Sequence, residues 1–138
     1  MLIALPARHA LVASASLALE ALSREPFILF PRASNPELYD NIVLACGRAG
    51  LTPNIVQQAP EIASTLNLIA AGEGVSIVPA SMQHMQSQAV AYRGILGDAP
   101  RAPLGFAYRS NEPSAAVRNL AARRAAANLG GDILARAG

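Results

Sequence analysis

Two near-continuous apolar runs constrain this chain more than any other feature: Phe27-Ile28-Leu29-Phe30 and Val75-Ser76-Ile77-Val78, each cut off by a proline, Pro31 and Pro79. A run without polar alternation has no solvent face, so it reads as a strand covered on both sides. The proline after each run ends the strand and turns the chain out of it. Two-sided cover requires helices above and below, which predicts an α/β fold with short links and right-handed crossovers around a parallel-rich sheet.

Helical signals fall where that architecture needs them. After Pro31, either Ser34 or Asn35 supplies an N-cap, Pro36 stands near the first helical position, and Glu37 lies in the first turn; Leu38, Ile42, Ala45 and Cys46 then share one stripe, and Gly50 closes the helix. Ile55 and Val56 mark the next strand. A second helix starts near Pro60 and Glu61, turns Ile62, Thr65, Leu66 and Ile69 inward, and stops at Gly72. Residues 2–5 form a further strand closed by Pro6, residues 17–22 a short helix or turn, residues 82–85 a weak helix and residues 90–93 a short strand. Past a Gly-, Asp- and Pro-rich loop at 94–103, residues 104–108 read as a strand, with Ser110 or Asn111 capping a last helix. One strand with one helix makes no sheet of its own, so this final unit is expected to belong to a second lobe.

Composition narrows the class. A chain of 138 residues suffices for one domain, or one lobe and a piece of another. With 52% hydrophobic and 14% charged residues it is built to bury a core, not to remain disordered or coat a nucleic acid. Although the formal charge is +2, every basic side chain apart from the two histidines is a scattered arginine, so no electrostatic footprint for DNA is visible. Cys46 stands alone, which excludes an internal disulfide and offers no metal cluster. The apolar opening is too short for a secretion signal, and nothing approaches the length of a membrane span. A cytoplasmic protein without membrane contact is the simplest reading.

In a parallel sheet, ligands bind beyond the carboxyl ends of the strands. The turns at 31–35, 58–60 and 79–81 are therefore expected on one edge. Arg32 stands beside a helix N-terminus, where free N–H groups and the helix dipole favour an anion, and Ser34 and Asn35 add polar contacts. The plainer alternative, with Ser34 or Asn35 only capping the helix and Arg32 solvated, remains open here; Ser81 has the same double reading. His9 and His84 are expected in solvent, and Cys46 as an apolar filler. Gly72-Glu73-Gly74 precedes a strand and so lacks the setting of a phosphate loop; Gly72 reads as a left-handed helix end, and Gly74 as a point of close backbone approach. No acid/base pair stands out, so no enzyme, metal site or cofactor is expected.

The run Leu5-Pro6-Ala7-Arg8-His9-Ala10-Leu11 resembles the "LP..HPLA" segment of LysR-type transcription regulators, with Ala10 where proline is usual. Glu25-Pro26-Phe27-Ile28-Leu29-Phe30 resembles their "EPFILF" strand, and Ala70-Ala71-Gly72-Glu73-Gly74-Val75-Ser76-Ile77-Val78-Pro79 their "AAGxGVxxVP" helix-to-strand motif. The resemblance extends to about Ala126. It implies a periplasmic-binding-protein-like effector domain of two lobes, of which this chain holds one complete lobe and part of the other. Residues 1–93 would be the second lobe, with hinge strands at 2–5 and 90–93, and residues 94–138 would return to the first. The implied ligand is a small effector in the cleft, met by Phe30, Pro31, Arg32 and Ala33 after one strand and by Pro79 and Ala80 after another; the Arg32 turn, with Ser34 as a further contact, points to a carboxylate-bearing one. The intact regulator is expected to form a homodimer or tetramer. DNA is expected to be bound only by an N-terminal head that lies outside this sequence. A stand-alone solute-binding protein is the alternative; a small α/β enzyme using the Arg32 turn is a third possibility, one that requires a nucleophile and base near Pro31 or Pro79.

Overall fold

The computed structural model describes residues 1–86 and 88–101. Its elements run in the order β1 (Leu2–Pro6), β2 (Ser16–Ala18), β3 (Pro26–Leu29), α1 (Pro36–Arg48), β4 (Asn54–Gln58), α2 (Ile62–Ala70), β5 (Ser76–Val78) and β6 (Val90–Leu96). Single 3-10 turns occupy Ala10–Ala13, Leu19–Leu22, Arg32–Ser34 and Ala80–Met82. The expected strand at 104–108 and the helix after it lie outside the described residues.

The strands form a four-stranded ladder ordered β2-β6-β1-β5 and a two-stranded ladder β3-β4. One parallel bridge, Phe27 to Val75, ties them together. There the Ile28 amide donates to the Val75 carbonyl at 2.9 Å and the Val75 amide donates to the Pro26 carbonyl at 2.8 Å. β3 and β4 are parallel, as are β2 and β6. β1 runs antiparallel to both neighbours, setting Leu2 opposite Val78 and Ile3 opposite Arg93. The sheet is thus mixed where apolar runs suggested parallel strands. Ile3, Ala4 and Leu5 are as thoroughly buried as Phe27 and Ile28, so an unbroken apolar run reports cover on both faces, not strand direction.

Alternation along these strands sorts the core into two layers. Ile3, Leu5, Phe27, Leu29, Val75 and Ile77 point to the side covered by Ile42, Ala45 and Cys46 of α1. Ala4, Ile28, Val78 and Val90 point to the other side, under Leu66 and Ile69 of α2. Each helix begins and ends on its expected signals. The Asn35 side chain accepts from the Leu38 amide at 3.1 Å, resolving the choice of α1 cap in its favour, and Pro36 occupies the first turn. Gly50 at φ +69° and Gly72 at φ +86° take the left-handed conformation that closes the two helices. Beyond them Leu51 and Glu73 donate back to the Cys46 and Leu68 carbonyls, at 2.9 and 3.1 Å.

Four local expectations change. Residues 17–22 divide into strand β2 and a 3-10 turn, because Leu17 pairs beside Ile95 of β6. The weak helix at 82–85 is replaced by the 3-10 turn Ala80–Met82, in which Ser81 is an interior residue and not the cap. β6 runs on to Leu96, so the loop starts later than residue 94. His9 is not solvated: its Nδ1 accepts from the Leu11 amide at 3.2 Å and its Nε2 lies 3.2 Å from Glu25 Oε2. It fastens the segment after β1 to the start of β3.

Cys46 is the filler its position on the stripe implied. Burial pushes its thiol from an ordinary value of 9.0 up to about 11. As pH rises, the unfolded chain therefore loses this proton first, so the stability Cys46 supports is intact below about 9 and lost on the way to 11. At neutral pH the folded chain should resist iodoacetamide while the denatured chain is fully labelled; equal labelling would show that Cys46 is not sealed in the core.

Candidate functional site

Because β3, β4 and Val75 at the entry to β5 share one direction, their carboxyl ends emerge together. A cavity of about 240 Å³ lies at that edge. Phe30, Ser34, Asn35 and Leu38 line it from the end of β3 and the start of α1. Pro60, Ile62 and Thr65 enter from the turn after β4 and from α2, and Ser76 through Pro79 from β5. The three strand-end turns picked out from the sequence thus meet at one pocket.

Its wall is apolar with a few neutral polar groups and no charged side chain. The Phe30 ring is held edge-on against Tyr39, with centroids 6.1 Å apart and planes at 80°, which sets one side of the opening. Asn35 spends its side-chain oxygen on the α1 cap. Thr65 donates its hydroxyl proton to the Glu61 carbonyl at 3.2 Å, leaving lone pairs for other partners. α2 begins without a side-chain cap, since Glu61 at its N-cap makes no such bond.

Of the residues expected to meet a ligand, Phe30, Ser34 and Pro79 are on the cavity wall. Pro31, Arg32, Ala33 and Ala80 occupy the same two turns but do not line it. Arg32 is 62% exposed in its side chain and engaged elsewhere: Nε and Nη2 donate to the two carboxylate oxygens of Asp40 at 2.7 and 2.6 Å. This fork joins the turn to α1, and hydrogen bonding from Arg32 holds the Asp40 carboxyl below its usual range. Both groups are open to solvent, so salt screens the pair. The polar wall residues the sequence reading did not assign to the site are Thr65 and Ser76. Thr65 counted as core, and Ser76 was absorbed into its apolar run; a hydroxyl interrupting a buried strand was the available signal.

A half-open pocket at the carboxyl edge of a helix-covered sheet, with an uncharged wall, is characteristic of a small-molecule-binding lobe. The chain belongs to the family of the LysR substrate binding domain, whose model matches residues 1–126. It is 32% identical over 117 residues to the HTH-type transcriptional regulator AlsR of Bacillus subtilis, covering 85% of this chain and 39% of that protein. It is 32% identical over 114 residues to the HTH-type transcriptional regulator CatR of Pseudomonas putida, covering 83% of this chain and again 39% of the relative. Among solved structures it resembles the BenM effector binding domain with its effector benzoate, at a TM-score of 0.63 and 31% identity over 70% of this chain and 44% of that one. The chain therefore spans about two fifths of the curated relatives it matches, 39% of each. Among the described residues, no helix is long and apolar enough to cross a membrane.

Proposed function

We propose that this chain is the effector-sensing part of a LysR-type transcription regulator and that its cavity receives one side of a small carboxylate-bearing molecule. The observation that carries the reading is the convergence of three strand-end turns on one pocket. The benzoate named with the BenM domain is itself a carboxylate, which supports that ligand class. In this reading residues 1–93 constitute the second effector lobe, residues 2–5 and 90–93 are its hinge strands, and residues 94–138 return to the first lobe. The antiparallel β1–β6 pair, which enters and leaves on the cavity edge, suits a hinge. Phe30, Ser34 and Pro79 meet the effector directly; Pro31, Arg32, Ala33 and Ala80 shape the turns that present them, with Arg32 anchored by Asp40.

The role is one of binding, not catalysis, in a cytoplasmic regulator that assembles as a homodimer or tetramer and reaches DNA through a separate N-terminal head. The names of AlsR and CatR, both HTH-type transcriptional regulators, favour this over a transport role. An effector acts in such a protein only by binding two arrangements of the lobes unequally.

Thermal unfolding in the presence of small aromatic and aliphatic carboxylates tests the reading, since a ligand that binds only the folded chain raises the midpoint by mass action. The acid with the largest shift is expected to lose about tenfold or more in affinity on Phe30→Ala, given the weight aromatic anchors carry at binding sites. A variant stabilised as well as the parent chain would place the site elsewhere. Arg32→Ala, run alongside, is expected to act through the shape of the turn and to cost less than Phe30→Ala.

A further inference from the structure

Resting on the cavity as the effector site, we infer that the uncapped first turn of α2 and the hydroxyl of Ser76 form its carboxylate subsite. Two independent observations meet there. The first is the helix end. The amides of Ile62, Ala63 and Ser64 have no intrahelical acceptor, as in any first turn, and the Glu61 side chain does not cap them. Pro60, Ile62 and Thr65 put this end on the cavity wall. At α1, by contrast, Asn35 already satisfies one of the corresponding amides.

The second observation is Ser76. It is 2% exposed, lies inside a strand whose neighbours are all apolar, and yet lines the cavity. Among the described residues its hydroxyl makes no hydrogen bond, and the residue is part of the cavity wall. Strand alternation puts Ser76 on the same face as Val78, the face α2 covers. Ser76 and the uncapped first turn of α2, reaching the wall at Ile62, therefore border one space. Thr65 does not compete for the incoming group, because its own proton is committed to the Glu61 carbonyl.

This chemistry suits a carboxylate. Neutral donors and the positive end of a helix dipole attract an anion without the desolvation cost of burying a cation beside it. Arg32, the obvious cation nearby, is held by Asp40, and no charged side chain lines the pocket. Glu61 carries the opposing charge, but it is exposed, where solvent and salt screen it. The ligand's apolar body would then run toward Phe30 and Leu38 at the other wall.

The test is a titration of the ¹⁵N-labelled full chain with sodium benzoate, with methyl benzoate as the uncharged comparison. Benzoate is expected to move the amides of Ile62, Ala63 and Ser76 saturably, and methyl benzoate to leave them in place. Ser76→Ala is expected to weaken benzoate binding about tenfold, the usual worth of a hydrogen bond to a charged group. Ser76→Thr, which keeps a hydroxyl, should retain most of it, and the dispersion of each variant's spectrum reports whether it has folded. Shifts confined to residues 30–38, with Ser76→Ala binding as the parent does, would overturn the subsite and leave the cavity reading standing. No shift in any lining amide would overturn both.

Discussion

Phe27→Ala is expected to lower the stability of the chain by about 3–5 kcal/mol, the range for deleting a buried aromatic ring. Phe27 is fully buried and, among the described residues, the largest side chain to be so. It packs in the layer between the sheet and α1, against the stripe of Ile42, Ala45 and Cys46. Removing the ring forfeits its transfer free energy and also leaves a void that two-sided packing prevents from closing. Since a domain of this size is stable by only about 5–15 kcal/mol, the loss is a large fraction of the total. Urea denaturation followed by circular dichroism measures it: the midpoint should fall while the slope stays unchanged. A loss below about 1 kcal/mol would mean that α1 is not held by this layer.

A comparable loss is expected from a single methyl group at Gly74. A Cβ there would stand 2.5 Å from the Pro26 carbonyl oxygen and 3.2 Å from Ile28 Cγ1. That carbonyl accepts the Val75 amide, and the Phe27–Val75 bridge is what ties the β3-β4 pair to the larger sheet. The added carbon must push backbone from backbone, so Gly74→Ala should cost about 2–3 kcal/mol, at the upper end of overpacking losses. Gly72, two residues earlier, is the control. A Cβ there meets nothing within 4 Å, and only its φ of +86° resists substitution, so Gly72→Ala should cost about 1–2 kcal/mol through backbone strain alone. The two should also differ in ligand response. Gly74→Ala displaces the strands whose ends wall the cavity and should blunt stabilisation by carboxylates at temperatures where the variant is still folded, whereas Gly72→Ala should not. Equal stabilities for the two variants would discount the close approach.

Much of this was legible in the residues because the signals are local. Asn35 followed by Pro36 and Glu37 can hardly do anything but start a helix, and Gly50 and Gly72 end theirs because the left-handed conformation is nearly free only for glycine. The prolines after β3 and β5 marked the turns that reach the cavity. What escaped depends on partners distant in sequence. His9 finds Glu25 only once the segment after β1 folds back beside β3. Arg32 finds Asp40 eight residues on, a spacing that means nothing until the turn before α1 bends the chain. Ser76 looked like a tolerated polar residue in a core strand until the cavity opened beside it.

By itself, the sequence determined which segments are buried on both faces, where α1 and α2 begin and end, and the family to which the chain belongs, because each is written in consecutive side chains and short motifs. Only the tertiary structure decided that β1 runs against its neighbours, that Arg32 is occupied by Asp40, and that neutral hydroxyls and amides border the pocket. The physical reason is that apolar burial is indifferent to strand direction and to charge pairing, whereas hydrogen-bond geometry is settled only when remote segments are brought within about 3 Å of one another.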